Sequence, residues 1–125
     1  MKLFVCFILL LSLTACGGKS GKEEKELATQ AFINCEFYDA ISKAKSAIEY
    51  AKDNVELSVP ALLILGKSSE FIGETDAANS AYEQIVQLAP GITSVSGAKE
   101  IANNFIAGLA SAAPEQVKAC SQLQL

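Results

Sequence analysis

Apolar side chains recur at the spacing of an amphipathic helix through most of this 125-residue chain. Three runs show the pattern: Leu27, Ala28, Ala31 and Phe32; Ala40, Ile41, Ala44, Ala47, Ile48 and Ala51; and Ala77, Ala78, Ala81, Tyr82, Ile85 and Val86. This spacing gives a helix one buried face. No stretch shows the sustained alternation of a half-buried strand. The sequence therefore predicts an all-α fold.

Helix-breaking residues separate these runs. The breaks fall at residues 34–36, 53–58, 73–75 and 90–91. Pro60 is expected in the first turn of the helix that follows the second break, where a missing N–H costs little. One helix pair is thus expected at 59–72 and 76–88. A further Ala-rich helix is expected at 96–113, and Pro114 can open a last short one, which makes six helices.

The pair at 59–72 and 76–88 carries a regularly spaced set of residues. Gly66 and Ala78 are small enough for the two helices to approach closely, Gly73 permits the turn between them, and Pro90 ends the second helix. The spacing resembles, without a gap, that of a tetratricopeptide repeat. The residues that carry the resemblance are Leu62, Leu65, Gly66, Ala78, Tyr82 and Pro90. Leu62 stands where the family has Trp, and Ser69 where it has Tyr.

A more degenerate copy of this spacing precedes it. Ala28 stands at the first position where the repeat has a small residue, and Ala40 at the first of the later such positions. Ala40 and Ala78 are 38 rather than 34 residues apart, so four extra residues are expected in the 53–58 connection. The resemblance implies antiparallel helix-pair repeats, about two of them, followed by capping helices over residues 92–124. A generic Ala-rich helical bundle is the alternative.

The resemblance also implies a concave face that binds an extended protein segment. Carried over position by position, that face holds Lys25, Thr29, Phe32, Leu63, Lys67 and Glu70. In the alternative interpretation, Phe32 and Leu63 belong to the core and the lysines are simply solvated.

The N-terminus has the layout of an export signal. Lys2 precedes an apolar run from Leu3 to Leu13, which at 11 residues is too short for a membrane span of roughly 20 residues. The next residues, Thr14-Ala15-Cys16-Gly17, complete a motif that resembles the bacterial lipobox. That resemblance implies that Cys16 becomes the acylated first residue of the mature chain. An ordinary secretory signal, in which Cys16 is incidental, is the alternative.

These features predict three parts: a signal peptide at 1–15, a flexible lipid-anchored linker at 16–22 and a helical domain at 23–125. Two or three acyl chains hold a protein stably on a membrane. In the sorting rule that accompanies the lipobox, Gly17 in place of Asp directs the chain to the outer membrane, facing the periplasm. A Gram-positive source, with the chain outside the cytoplasmic membrane, remains open.

Two cysteines remain once Cys6 leaves with the signal and Cys16 is lipidated. Cys35 and Cys120 are therefore candidates for a disulfide in an oxidising compartment. Two separate buried thiols are the alternative. Two cysteines without histidine cannot supply the four ligands of a structural zinc site, and no metal site is expected.

Composition argues against most catalytic and nucleic-acid-binding functions. The chain has no His, Arg or Trp, so it lacks the commonest general base and the bidentate anion ligand. The mature part carries 9 Lys against 14 Asp and Glu, with no basic stretch that could neutralise phosphates. We expect no enzyme activity, no cofactor, no small-molecule substrate and no nucleic-acid partner.

The function predicted from these features is that of an adaptor or assembly factor, held at the cell envelope by its lipid anchor and contacting protein partners there. An inhibitor or immunity lipoprotein that occludes a toxin or hydrolase is one alternative. A passive structural lipoprotein is another.

Overall fold

The computed structural model describes residues 21–52 and 54–112, and these residues form five α-helices. Their bounds are α1 Gly21–Ile33, α2 Phe37–Ala51, α3 Val55–Phe71, α4 Thr75–Leu88 and α5 Val95–Ala112. The prediction of an all-α fold is confirmed for this part of the chain. The predicted helix that Pro114 would open lies outside the described residues.

Consecutive helices pack side by side. α1 packs against α2, and α3 against α4, while α1 also contacts α3 and α5 contacts both α3 and α4. Alanines fill many of the crossing points: Ala28, Ala40, Ala44, Ala78, Ala98 and Ala102 are all buried. Small side chains let the helix axes approach closely, which is how a chain without tryptophan builds a dense core.

The turn between α1 and α2 ends α1 with a left-handed residue. Cys35 has φ 66°. Its N–H donates to the Phe32 carbonyl at 3.1 Å, and the Glu36 N–H donates to the Ala31 carbonyl at 2.8 Å. This pair of bonds defines a Schellman motif, in which glycine normally takes the left-handed position.

The turn between α3 and α4 repeats that pattern. Gly73, at φ 82°, takes the left-handed position. Its N–H donates to the Glu70 carbonyl at 3.1 Å, while Glu74 N–H donates to the Ser69 carbonyl at 2.8 Å. Cys35 and Gly73 are 38 residues apart, the offset that the sequence predicts between the two helix pairs.

The extra residues of the longer repeat lengthen a helix rather than a loop. α3 begins at Val55, four residues before the predicted start, because Asn54 caps it by accepting the Glu56 N–H at 3.1 Å. The expectation of four extra residues in the 53–58 connection is therefore wrong. Pro60 lies inside the helix, beyond the first turn where the sequence analysis puts it.

The first helix also begins earlier than predicted. Gly21 and Lys22, which the sequence analysis assigns to the linker, are the first two residues of α1. Gly21 is buried because it lies against the last turn of α2. A Cβ atom at residue 21 would stand 3.0 Å from the Ala47 carbonyl oxygen and 3.1 Å from Ala51 Cβ. The same contact shows that α1 and α2 run antiparallel.

The residues that carry the repeat resemblance lie where helices meet or end. Leu62, Leu65, Gly66, Ala78 and Tyr82 are buried. Pro90 is exposed beyond the end of α4, and Ala89 before it is extended, with φ −109° and ψ 106°. An extended residue before proline is the expected conformation, since the proline ring disfavours the helical one.

Three phenylalanine rings connect the turn between α1 and α2 to the C-terminal end of α3. Phe37 stacks on Phe71 with ring centroids 4.9 Å apart, and Phe32 meets Phe37 edge to face at 5.5 Å. Phe32 and Phe71 lie 5.8 Å apart. This cluster holds the C-terminal ends of α1 and α3 together, so the two helices run parallel. Among the described helices, none has the length and apolar character needed to cross a bilayer.

Candidate functional site: a groove between three helices

An open groove of about 570 Å³ runs between α1, α3 and α5. One face of α1 forms most of its wall, and one residue of α3 and two residues of α5 complete it. The lining residues are Glu23, Lys25, Glu26, Leu27, Thr29, Gln30, Pro60, Phe105 and Leu109.

The floor of the groove is apolar. Phe105 and Leu109 stand one turn apart on α5 and therefore point the same way. Opposite them are Leu27 of α1, whose side chain is 42% exposed, and Pro60 of α3. An exposed apolar cluster inside a concavity is the usual character of a binding site, whereas single exposed leucines elsewhere on a surface carry no such meaning.

The rim is polar and slightly acidic. Glu23 and Glu26 are exposed on it, and Lys25 is half-buried between them along α1. Thr29 Oγ1 donates to the Lys25 carbonyl at 2.9 Å, so its proton already has an acceptor within the helix. The charged groups lining the groove thus sum to one negative charge.

Of the six residues predicted for the concave face, two line this groove. Lys25 and Thr29 are on its wall. Phe32 and Leu63 are almost completely buried in the core. A residue buried in this way cannot contact a partner, so these two positions belong to the fold rather than to the groove.

Lys67 and Glu70, the other two predicted residues, face the last described helix. Lys67 Nζ lies 2.9 Å from Glu70 Oε2 and donates to Asn103 Oδ1 at 2.9 Å. It also lies 5.7 Å from the centroid of the Phe71 ring. Lys99 Nζ of α5 stands 3.9 Å from Glu70 Oε1. These side chains hold α5 in place and are not presented to a partner.

Successively later residues of α5 meet successively earlier residues of α3. Lys99 pairs with Glu70 and Asn103 with Lys67, while Phe105 shares the groove with Pro60. α5 therefore crosses α3 in the antiparallel sense and covers Lys67 and Glu70, two of the six residues predicted for the concave face. The sequence predicts a helix that contains Phe105 and Leu109 but does not predict that they line a groove, because the docking of α5 depends on contacts between residues distant in sequence.

The core at the α3–α4 contact holds buried hydroxyls. Tyr82 is fully buried, and its burial, together with the nearby negative charge of Glu70, raises the pKa of its phenol. Ser68 Oγ, Ser69 Oγ and Tyr82 Oη have no hydrogen-bond partner within the described structure. None of the three residues lines the groove. In residues 21–52 and 54–112, no group of three or more His, Cys, Asp or Glu side chains could hold a metal ion.

Cys35 is disulfide-bonded. It is the sole cysteine of residues 21–52 and 54–112, so its partner lies outside the described residues. The lipidation candidate Cys16 and the predicted disulfide partner Cys120 are both outside them.

Comparison of the chain with protein-family models, with curated proteins and with solved structures finds no match.

Proposed function

We propose that this chain is a lipid-anchored envelope protein, an adaptor or assembly factor that binds a protein partner in the groove between α1, α3 and α5. The observation that carries the proposal is the apolar floor of the groove. Leu27 is 42% exposed and lines the groove together with the apolar side chains of Phe105 and Leu109. Burying such side chains against a partner yields about 25 cal/mol per Å² of apolar surface.

The polar groups of the groove favour a protein segment over a small molecule. Small-molecule sites place a few polar groups at fixed points within an apolar cavity. Here the charged side chains stand on the rim, and the Thr29 hydroxyl already donates within α1. An apolar floor with a polar rim suits an amphipathic segment that inserts two or three apolar side chains.

The charge of the rim favours a partner segment with basic residues beside its apolar ones. Glu23 and Glu26 outnumber Lys25 on α1. Exposed charges of this kind steer association and register more than they add affinity.

The lipid anchor would supply the rest of the mechanism. Acyl chains on Cys16 would confine the helical domain to a membrane surface and raise its effective concentration for a partner there. The lipobox-like residues and Gly17 support an anchor in the outer membrane, facing the periplasm. Replacing Cys16 by Ser is then expected to release the chain from the membrane fraction. Retention of the Cys16→Ser chain through an alkaline wash would argue against this anchor.

The groove is tested by capture of the partner with a matched pair of variants. The native lipidated chain is crosslinked on membranes and purified, and the copurifying protein is identified by mass spectrometry. Leu27→Glu places a charge on the apolar floor, whereas Tyr38→Glu places the same charge on an exposed side of α2. Neither residue is part of the core, so both variants are expected to fold. The partner is expected to be lost from the purified sample with Leu27→Glu and retained with Tyr38→Glu.

A partner that survives Leu27→Glu would overturn the groove as the binding site. No stoichiometric partner would overturn the adaptor function. A single soluble toxin or hydrolase in place of an envelope-machinery subunit would identify the chain as an inhibitor.

A further inference from the structure

The point at which the chain enters its helical domain is fixed. Gly21 is the first residue of α1, and its backbone lies directly against the last turn of α2. Any side chain at residue 21 would press on the Ala47 carbonyl and on Ala51. The segment that precedes Gly21 therefore starts from a defined place on the surface of the domain.

Only four residues separate this place from the proposed anchor, an argument that rests on the lipidation of Cys16 in the proposed function. A fully extended chain spans at most about 3.3–3.6 Å per residue, so Gly21 lies within about 18 Å of the Cys16 backbone. That distance is no longer than one of these helices, so the tether keeps the end of the helical domain that contains Gly21 close to the bilayer.

The end of the domain beside Gly21 carries exposed apolar and cationic side chains. Tyr50, in the last turn of α2, is 53% exposed, and Val55, the first residue of α3, is 39% exposed. Lys22 and Lys52 are exposed at the same end. We call these four residues together with Gly21 the anchor end.

We propose that the anchor end lies on the membrane surface, with Tyr50 and Val55 in contact with the lipid headgroup region and Lys22 and Lys52 beside the phosphates. A tyrosine ring with an apolar body and a polar hydroxyl is suited to this region. Lysine side chains can extend their ammonium groups toward phosphates while their stems cover apolar surface.

Carboxylates at the same end keep the electrostatic contribution to membrane binding small. Glu49 and Glu56 are exposed near Tyr50 and Val55. The contact therefore depends on the tether and on the apolar side chains more than on net charge. A domain lacking the lipid is expected to bind vesicles too weakly to co-float with them.

This orientation places the other end of the helix pairs away from the bilayer. Tyr38 stands at the opposite end of α2 and is 73% exposed. Its separation of 12 residues from Tyr50 corresponds to about 18 Å along the helix. The groove begins at Glu23, within one turn of the anchor end, and extends along α1 to Gln30, away from the membrane surface.

Lipid-borne quenchers can distinguish the two ends. The full lipidated chain is reconstituted into vesicles of phosphatidylcholine and phosphatidylglycerol that carry a headgroup quencher. A fluorophore is attached at an introduced cysteine, either Tyr50→Cys or Tyr38→Cys. We expect strong quenching at residue 50. At residue 38 we expect quenching no greater than that of the Cys16→Ser chain mixed with the same vesicles.

Flotation of the same samples separates failure of the anchor from failure of the orientation. A chain that floats with the vesicles but is quenched equally at both positions, or more strongly at residue 38, would overturn the orientation while leaving the anchor intact. A chain that does not float would overturn the anchor, and the orientation with it. A further label at Lys52→Cys is expected to lose quenching when Tyr50 and Val55 are both replaced by Ser, and unchanged quenching there would overturn their contact with the lipid.

Discussion

Gly66 of α3 lies directly against the ring of Tyr82 on α4, so that a Cβ atom at residue 66 would stand 2.5 Å from Cε1 of the ring. No real Cβ contact is this short. The contact lies in the core, where the fully buried ring of Tyr82 has no room to move aside. Glycine at residue 66 is thus required by the neighbouring side chain and not by its own helical backbone.

Replacing Gly66 by Ala is expected to destabilise the chain by about 1–3 kcal/mol, the usual cost of overpacking a core. The matched control is Gly108→Ala in α5, where an added Cβ meets nothing within 4 Å. There the better helix propensity of alanine is expected to stabilise by up to about 1 kcal/mol. Thermal or urea unfolding measures both variants. Equal effects of the two substitutions would contradict the Gly66–Tyr82 contact.

Replacing Tyr82 by Phe is expected to remove a pH dependence of stability. Burial raises the pKa of the Tyr82 phenol above its ordinary value of 10.0, so the folded state keeps its proton where the unfolded state loses it. The unfolded state then binds fewer protons, and the free energy of unfolding falls as the pH rises above about 10, by at most about 1.4 kcal/mol per pH unit. This loss is expected to be absent in Tyr82→Phe.

The control for that experiment is Tyr50→Phe, since Tyr50 is exposed. It is expected to retain the alkaline loss of stability. Near neutral pH, Tyr82→Phe is expected to change stability by less than about 1 kcal/mol, because the hydroxyl it removes has no hydrogen-bond partner among the residues that the structure describes. If the free energy of unfolding fell equally steeply with pH in Tyr82→Phe and in the parent chain, Tyr82 would not be the cause of the alkaline loss of stability.

Local sequence patterns predicted the helices well because their information lies within a few residues. The left-handed Gly73, the extended Ala89 before Pro90 and the buried faces of α2 and α4 all follow from such patterns. The start of α3 did not, because two local signals compete there. Pro60 indicates a helix start near residue 59, whereas the Asn54 side chain caps a helix at Val55.

The groove was predicted only in part because it depends on contacts between distant segments. Of the residues that the repeat pattern places on the concave face of α1, Lys25 and Thr29 line the groove. The pattern could not foresee that α5 would cross α3 and cover Lys67 and Glu70, since Asn103 is 36 residues from Lys67. Nor does periodicity distinguish the buried Phe32 from an exposed residue on the same helix.

Cys35 combines a disulfide with a left-handed backbone, and two substitutions separate their contributions. Cys35→Gly removes the disulfide while suiting φ 66°, whereas Cys35→Ala removes it and keeps the strain. Both variants are expected to be less stable than the oxidised parent. Cys35→Ala is expected to be the less stable of the two by about 1–2 kcal/mol, the cost of a non-glycine residue in the left-handed region.

Denaturant unfolding under oxidising and reducing conditions measures these variants, and mass spectrometry of the unreduced chain identifies the disulfide partner, which the sequence predicts to be Cys120. Equal stability of the glycine and alanine variants would contradict the strained turn. A free Cys35 thiol in the purified mature chain would contradict the disulfide.

Lys67 is expected to control how firmly α5 docks on α3. Its ammonium group contacts Glu70 and Asn103 and lies over the Phe71 ring, and Lys67→Met removes these polar contacts while keeping the apolar stem. Because the ion pair is partly exposed, the expected loss is about 1 kcal/mol. This energy corresponds to roughly a fivefold rise in hydrogen exchange at α5 amides such as Ala102. Lys45→Met, on an exposed position of α2, is the control and is expected to leave exchange unchanged.

Looser docking of α5 also disturbs the groove, since α5 supplies Phe105 and Leu109. Lys67→Met is therefore expected to weaken partner capture, although it places no charge in the groove. Exchange that accelerates equally in all five helices would show instead that Lys67 supports the whole fold and that α5 does not open on its own.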